Sequence, residues 1–433
     1  MAATVQSSFS MPPHWMTRDG KLIIVARGLG TFAQGFVAVI IAIYLDMLGF
    51  GLVQIGLVLT AGLTGSAFFA LLVGLFGDSL GRRPLMVGLT LLSAVAGAAF
   101  AMSDNLALIL AIAFVGSLKA TGGARAGAVQ PLEQASLTET CLPQRRTEAF
   151  AVYSIVAAAA TALGSLAAGL PALLQGSLGL SELWAFKAMF LGYALFTALG
   201  GLLYLLLSPS VEIGKVKARW TNPLLLPSRR LIFTLAGLFS VDWFAGGLLV
   251  QSLVSYWFFT RWGVALGSIG VIFFLSSVLA AISLWVAAWL GKRIGLINTM
   301  VFTHIPSSLF LIAIPFAPVA WLAVALWLAR SALGQMDVPT RDSYIMAIVG
   351  PEERIAMASV TAVTRSVSMS VTPSVATVLW NAASASAPFI ACGVMKIGYD
   401  LALFFLFRNV KPPEEKGAEA RAAAKPGPEP SAG

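Results

Sequence analysis

Read for hydropathy alone, the chain is a succession of apolar runs of about 20 residues separated by short polar gaps. About 20 apolar residues in a helix cross the roughly 30 Å hydrocarbon layer of a bilayer. The backbone finds no water there, so each run is expected to be helical. The pattern predicts about twelve spans, over 22–46, 52–76, 84–102, 106–130, 147–174, 183–207, 231–260, 266–290, 297–316, 319–346, 355–380 and 388–408. The short alternating segments of a β-barrel are not what this sequence shows. The predicted fold class is an all-α polytopic membrane protein.

Composition agrees. Of 433 residues, 58% are hydrophobic and 11% charged, against roughly 25% charged in soluble domains. The net charge of +9 raises nucleic acid as a partner, but its placement points elsewhere. Lys and Arg fall on alternate gaps: Arg18 and Lys21, Arg82 and Arg83, Arg145 and Arg146, Lys215 to Arg230, Lys292 and Arg293, Arg354, and the tail from Arg408. The opposite gaps hold little beyond Lys187 and Arg261. By the positive-inside rule both termini are expected in the cytoplasm of a cell that carries the protein in its plasma or inner membrane. The partners expected are then the lipid bilayer and a small solute, with no nucleic acid. The opening segment "MAATVQSSFSMPPHWMTRDGKL" is polar and interrupted by proline, so no cleavable signal is expected. Two cysteines, Cys141 and Cys392, have no metal-ligand spacing, and neither metal nor cofactor is expected.

The longest internal gap, "SPSVEIGKVKARWTNPLLLPSRR" (208–230), separates two sets of six spans. The expected organisation is a cytoplasmic segment 1–21, a bundle over 22–207, a cytoplasmic loop over 208–230, a second bundle over 231–408 and a disordered tail over 409–433. The halves resemble each other. "CLPQRRTEAF" (141–150) matches "VGPEERIAMA" (349–358), Pro131 and Pro339 precede them by the same interval, and "FAQGFVAVIIAIYL" (32–45) lies on "FAGGLLVQSLVSYW" (244–257). Six-plus-six repeats are a transporter architecture, with a site near the midplane.

The gap between spans 2 and 3 reads "GLFGDSLGRRP". Gly74, Asp78, Gly81, Arg82 and Arg83 resemble the loop signature of the major facilitator superfamily, with Ser79 where that signature usually has an arginine. The resemblance covers nearly the whole chain and implies two six-helix bundles working by alternating access, in a monomer. It implies that the loop latches the cytoplasmic side. Asp78 is expected at the start of span 11, and Arg82 or Arg83 on Glu133. The corresponding loop of the second half, "LGKRIGLIN", keeps Gly291 and Gly295 but has Lys292 in place of the acid. A purely topological role for the arginines is the alternative.

Charges inside spans are costly and mark partners or a wet cavity. Several lie within the spans, among them Arg27, Lys119, Arg125, Asp242, Arg330, Asp337, Arg365, Lys396 and Asp400. Lys396 and Asp400 are spaced to pair on one helix face. The resemblance implies that spans 1, 4, 7 and 10 line the cavity. The substrate and proton candidates are Arg27, Gln34, Lys119, Arg125, Asp242, Gln251, Arg330 and Asp337 in those spans, and Arg365 of span 11, whose Ser and Thr neighbours suggest a polar interior face. Asp242, in "FSVDWFAGG", is the leading carboxylate for proton or substrate handling; an ion pair with Arg27 or Arg365 is its structural alternative. His304 is expected to be a hydrogen-bonded interior residue. "ALGSLAAGLP" (162–171) loosely resembles the Gly- and Pro-rich element of exporters in the family, and equally suits close helix packing. The expected function is secondary, proton-coupled transport of a small organic solute, efflux favoured over uptake. Symport or uniport of an organic anion, and a scaffold that no longer transports, stand as alternatives. No phosphate-cradling loop or nucleophile–base constellation marks an ATPase or an enzyme.

Overall fold

The structure, a computed structural model, describes residues 15–118, 121, 128–212, 226–350 and 353–408. Among them, seventeen α-helices form in chain order. These are α1 (Arg18–Met47), α2 (Leu52–Leu80), α3 (Arg82–Met102), α4 (Leu106–Gly116), α5 (Gln130–Glu139), α6 (Arg146–Ala167), α7 (Leu170–Leu178), α8 (Glu182–Leu205) and α9 (Arg229–Gly247). Then come α10 (Gln251–Trp262), α11 (Leu266–Ile294), α12 (Leu296–Ala313), α13 (Ala320–Leu333), α14 (Asp337–Ile348), α15 (Arg354–Ser370), α16 (Thr372–Ala382) and α17 (Ala387–Phe407). Nine stretches of the described residues, with α9 and α10 counted as one, are long and apolar enough to cross a membrane.

Spans expected to be continuous are interrupted. Span 4 is divided between α4, which ends on left-handed Ser117 (φ 51°), and α5. Span 5 breaks into α6 and α7, span 7 into α9 and α10, span 10 into α13 and α14, and span 11 into α15 and α16. Proline explains most of these breaks. It has no N–H to continue a ladder, so it is tolerated in the first turn of a new helix. Pro131, Pro171 and Pro373 stand at the first or second position of α5, α7 and α16, and Pro339 lies in the first turn of α14. Span 7 has no such proline; α9 ends on Gly246 and Gly247, and extended Val250 starts α10.

The chain divides into two compact units, Met1–Leu48 with Ala61–Lys217, and Gly49–Thr60 with Ala218–Gly433. In the first, α1 packs against both α6 and α8, and α3 against α8. The apolar residues of α1 are buried on every side from Phe36 to Leu45, while Val25 nearer its start is exposed, so its second half is the part that is hydrophobic and enclosed all round. Gly35 of α1 and Gly164 of α6 make this possible. A Cβ on Gly35 would collide with the Thr161 carbonyl, and one on Gly164 with the Phe32 carbonyl. The small residues of "ALGSLAAGLP" thus serve close packing here. In the second unit, α12 packs on α17, and α9 packs on α15 and α17. Outward surfaces carry large apolar side chains, Trp285, Leu75 and Phe405 among them, which suits lipid rather than water.

Candidate functional site

In the first unit, α1 carries Arg27 and the first turn of α5 carries Glu133. Both are buried, and their side chains meet at 3.3 Å. Tyr153 of α6 donates its hydroxyl to Glu133 Oε2 at 2.5 Å, and Tyr204 of α8 donates to Oε1. The Arg27 guanidinium also lies 5.2 Å from the centre of the Tyr153 ring. A buried carboxylate is tolerable when its charge is paired and its lone pairs are filled, and Glu133 meets both conditions. Beside it lies a cavity of about 120 Å³ whose lining includes Thr31, Gln34, Thr90, Ser93, Tyr193 and Thr197.

The second unit holds a denser arrangement. Asp242 of α9 accepts from Lys396 Nζ of α17 at 2.5 Å and from Arg341 Nη1 of α14 at 2.9 Å. Arg341 also pairs with Asp337, one turn earlier, at 3.2 Å. His304 of α12 donates from Nδ1 to Asp400 of α17 at 2.9 and 3.0 Å. Lys396 Nζ stands 3.3 Å from His304 Nε2, and that nitrogen lies 3.9 Å from Asp242. All six side chains are buried, Asp400 completely. Nδ1 thus faces a carboxylate, the partner of an N–H donor, while Nε2 faces the Lys396 ammonium.

Several expectations are corrected here. Asp242 pairs with Lys396 and Arg341 instead of Arg27 or Arg365, and Arg27 pairs with Glu133. Lys396 and Asp400 do not pair with each other, because each reaches a neighbouring helix: Lys396 to Asp242 and Asp400 to His304. Asp337, at the start of α14, belongs to this cluster through Arg341. Gln34 lines the first unit's cavity, Gln251 opens α10, and Arg365 is half-buried on α15. Arg330 stacks on Trp327, 4.8 Å from its ring centre. Lys119 and Arg125 lie outside the described residues.

The loop of the signature is also rearranged. Arg82 and Arg83 do not reach Glu133; their backbone N–H groups donate to the two carboxylate oxygens of Glu212, each at 2.9 Å. Glu212 thereby closes the exposed amide end of α3, where a carboxylate is favoured. Gly81 precedes it at φ +87°, a backbone conformation that suits glycine. A Cβ at Gly74 would meet nothing within 4 Å, so packing does not require that glycine. The Asp78 side chain lies outside the described residues. The second unit has a comparable closure: Ser228, at the start of α9, donates its N–H to Glu353 at 3.0 Å. Hydrogen bonding from Ser228 holds the Glu353 carboxyl below its ordinary value.

Sequence reasoning missed Arg341, Glu212, Tyr153 and Tyr204. Arg341 had a signal: it stands four residues after Asp337, the spacing of a helical ion pair. The tyrosines and Glu212 had none, since each is brought in by packing.

Comparison with known proteins agrees with this architecture. The model of the Major Facilitator Superfamily matches residues 23–334 and 252–431. The uncharacterized membrane protein YJR124C of Saccharomyces cerevisiae is 23% identical over 429 residues, covering 91% of this chain and 95% of its own. Among solved structures, the nucleoside transporter NupG superposes with TM-score 0.68 at 15% identity, over 91% of this chain and 99% of that one. A bacterial homologue of the human lysosomal transporter Spinster, inward-facing and occupied, gives 0.67 at 14%, over 90% and 96%. The human organic anion transporter MFSD10 gives 0.60 at 18%, over 91% and 100%. Nine membrane-length apolar stretches among the described residues, two units and a family match across the chain lead to one conclusion: this protein belongs to the major facilitator superfamily.

Proposed function

We propose that this protein is a proton-coupled secondary transporter of a small organic solute, working by alternating access as a monomer. Both termini are placed in the cytoplasm, and export is favoured over uptake. The observation that carries the proposal is the arrangement of charged groups around His304. The hydrogen-bonded cluster holds three carboxylates, Asp242, Asp337 and Asp400, against two fixed cations, Arg341 and Lys396. Arg330, from α13, stacks on Trp327 and acts as a third cation on Asp242 and Asp337 across a longer distance. His304 sits between these groups, with Nδ1 on Asp400 and Nε2 between Lys396 and Asp242, which places a proton-accepting nitrogen among charges on three helices.

A proton on Nε2 changes a helix contact. Protonated Nε2 no longer accepts from Lys396 and turns its N–H toward Asp242, 3.9 Å away. Lys396 is then held by Asp242 alone. Loading therefore replaces an α12–α17 contact by an α12–α9 contact, the kind of two-state rearrangement that alternating access needs.

The anion alternative loses support from Arg27, whose charge is already met by Glu133. The structural relatives named for a nucleoside and for organic anions differ in the charge of what they carry, so they do not choose a substrate here.

The test is proton movement in liposomes containing the purified protein, screened against neutral, anionic and cationic solutes. A solute-evoked pH change that is lost in both Asp242→Asn and His304→Gln is expected. Solute flux with no pH change would remove the coupling. Silence across the panel from folded protein would favour a scaffold.

A further inference from the structure

We propose that the cavity of the first unit is a binding site for an uncharged, hydrogen-bonding solute of about eight non-hydrogen atoms, carrying hydroxyl or amide groups. The inference rests on the transport reading for its purpose, while its evidence comes from the other unit of the chain.

Size sets the first limit. The cavity holds about 120 Å³, and a water-sized group needs roughly 15 Å³ of such space, so about eight groups fit. Charge sets the second. Among the described lining residues, Arg27 and Glu133 are the charged ones, and they are spent on each other. Glu133 also holds the Tyr153 and Tyr204 hydroxyls. A charged solute must break that pair or lie uncompensated, and either costs several kcal/mol, of the order found when buried pairs are broken.

The polar lining sets the third. Thr31 and Ser93 donate their hydroxyl protons to the carbonyls of Arg27, at 2.8 Å, and Gly116, at 2.9 Å. Their remaining lone pairs accept, so they suit a solute O–H or N–H. Thr197 is 7% exposed, and its hydroxyl, close to that of Tyr193, completes no hydrogen bond of good geometry. A buried hydroxyl left in this state carries a desolvation penalty, which a bound solute relieves. Gln34 adds a further polar side chain to the same lining. Phe69, Leu89 and Val115 supply apolar surface for a carbon skeleton.

The experiment is direct calorimetric titration of the purified full-length protein in detergent with erythritol and N-acetylglycinamide, both of the required size, and with erythronate as the carboxylate counterpart. The neutral probes are expected to bind, and erythronate to bind roughly tenfold more weakly or worse. Gly30 borders the cavity, and a Cβ there meets nothing within 4 Å. Gly30→Leu should fill the space and abolish binding in protein that melts no lower than the parent. Thr197→Val should weaken binding about fivefold, with Thr197→Ser restoring it, and this pair carries the test if Gly30→Leu fails to fold. Equal or tighter binding of erythronate overturns the proposal. So does unchanged binding in Gly30→Leu, or no binding of either neutral probe up to tens of millimolar. Binding needs no gradient, so the two readings fail separately. Cavity-dependent binding without proton movement sinks the coupling, and coupled flux of a solute indifferent to Gly30→Leu sinks this site.

Discussion

Glu133 and Arg341 occupy matching places in the two halves of the chain with opposite charge. Each stands two residues after a proline, Pro131 or Pro339, in a half-helix that follows a break. Each reaches the first long helix of its own unit, Glu133 to Arg27 at 3.3 Å and Arg341 to Asp242 at 2.9 Å. The internal repeat thus preserves a bridge while exchanging its poles.

If the first bridge holds α5 to α1, its two ends are coupled. Arg27→Met strands a buried carboxylate and should cost about 3–5 kcal/mol. Adding Glu133→Gln should recover roughly 1–3 kcal/mol relative to the sum of the single changes. Thermal melts of the four proteins in detergent measure this, and simple additivity would show that the bridge contributes nothing as a pair.

Two glycines of α1 should answer differently to the same change. Gly35→Ala drives a methyl into the Thr161 carbonyl of α6, so folded yield should fall sharply. Gly30→Ala meets open space and should stabilise α1 by as much as about 1 kcal/mol through helix propensity. Size-exclusion profiles and melting temperatures report both; equal behaviour would contradict the close approach of α1 and α6.

His304 should separate coupling from recognition. His304→Gln removes the proton-accepting Nε2 but keeps a group of similar polarity facing Asp400. Solute-for-solute exchange should persist while uphill transport driven by a pH gradient falls at least about tenfold, as for loss of a group needed in one step only. Retained uphill transport would move the proton site elsewhere.

Glu353 predicts an acid-side effect on stability. Its carboxyl is held below the ordinary value by Ser228, so its contribution is complete above the unfolded pKa of about 4.3. That contribution is lost as pH falls through the lower, folded value. Glu353→Gln should therefore melt earlier than the parent near neutrality, and the gap should close below about pH 4. A gap that persists at low pH would deny the carboxylate this role.

Much of the fold was legible in hydropathy, because twelve apolar runs leave few ways to satisfy a backbone in lipid. The half-helices were partly legible, since Pro131, Pro171, Pro339 and Pro373 stand in plain view. Pairings were not. Lys396 and Asp400 have the spacing of partners, yet crossing helices offered each a nearer one. Asp242 was visible as a costly charge, but Arg341 was hidden by its place at the edge of an apolar run. Spacing along a helix constrains which groups share a face; it does not say which neighbouring helix that face meets.

Glu212 lies beyond the last helix of the first unit, in the stretch of chain that leads to the second, yet it seals the start of α3. The stretch therefore divides into two functional parts at that residue. A chain severed after Glu212 and produced as two polypeptides keeps the seal with the first fragment. A cut a few residues earlier sends the carboxylate away with the second fragment and leaves the amides of Arg82 and Arg83 open. Whether the start of α3 keeps its seal in a two-piece protein thus depends on which side of that carboxylate the cut falls.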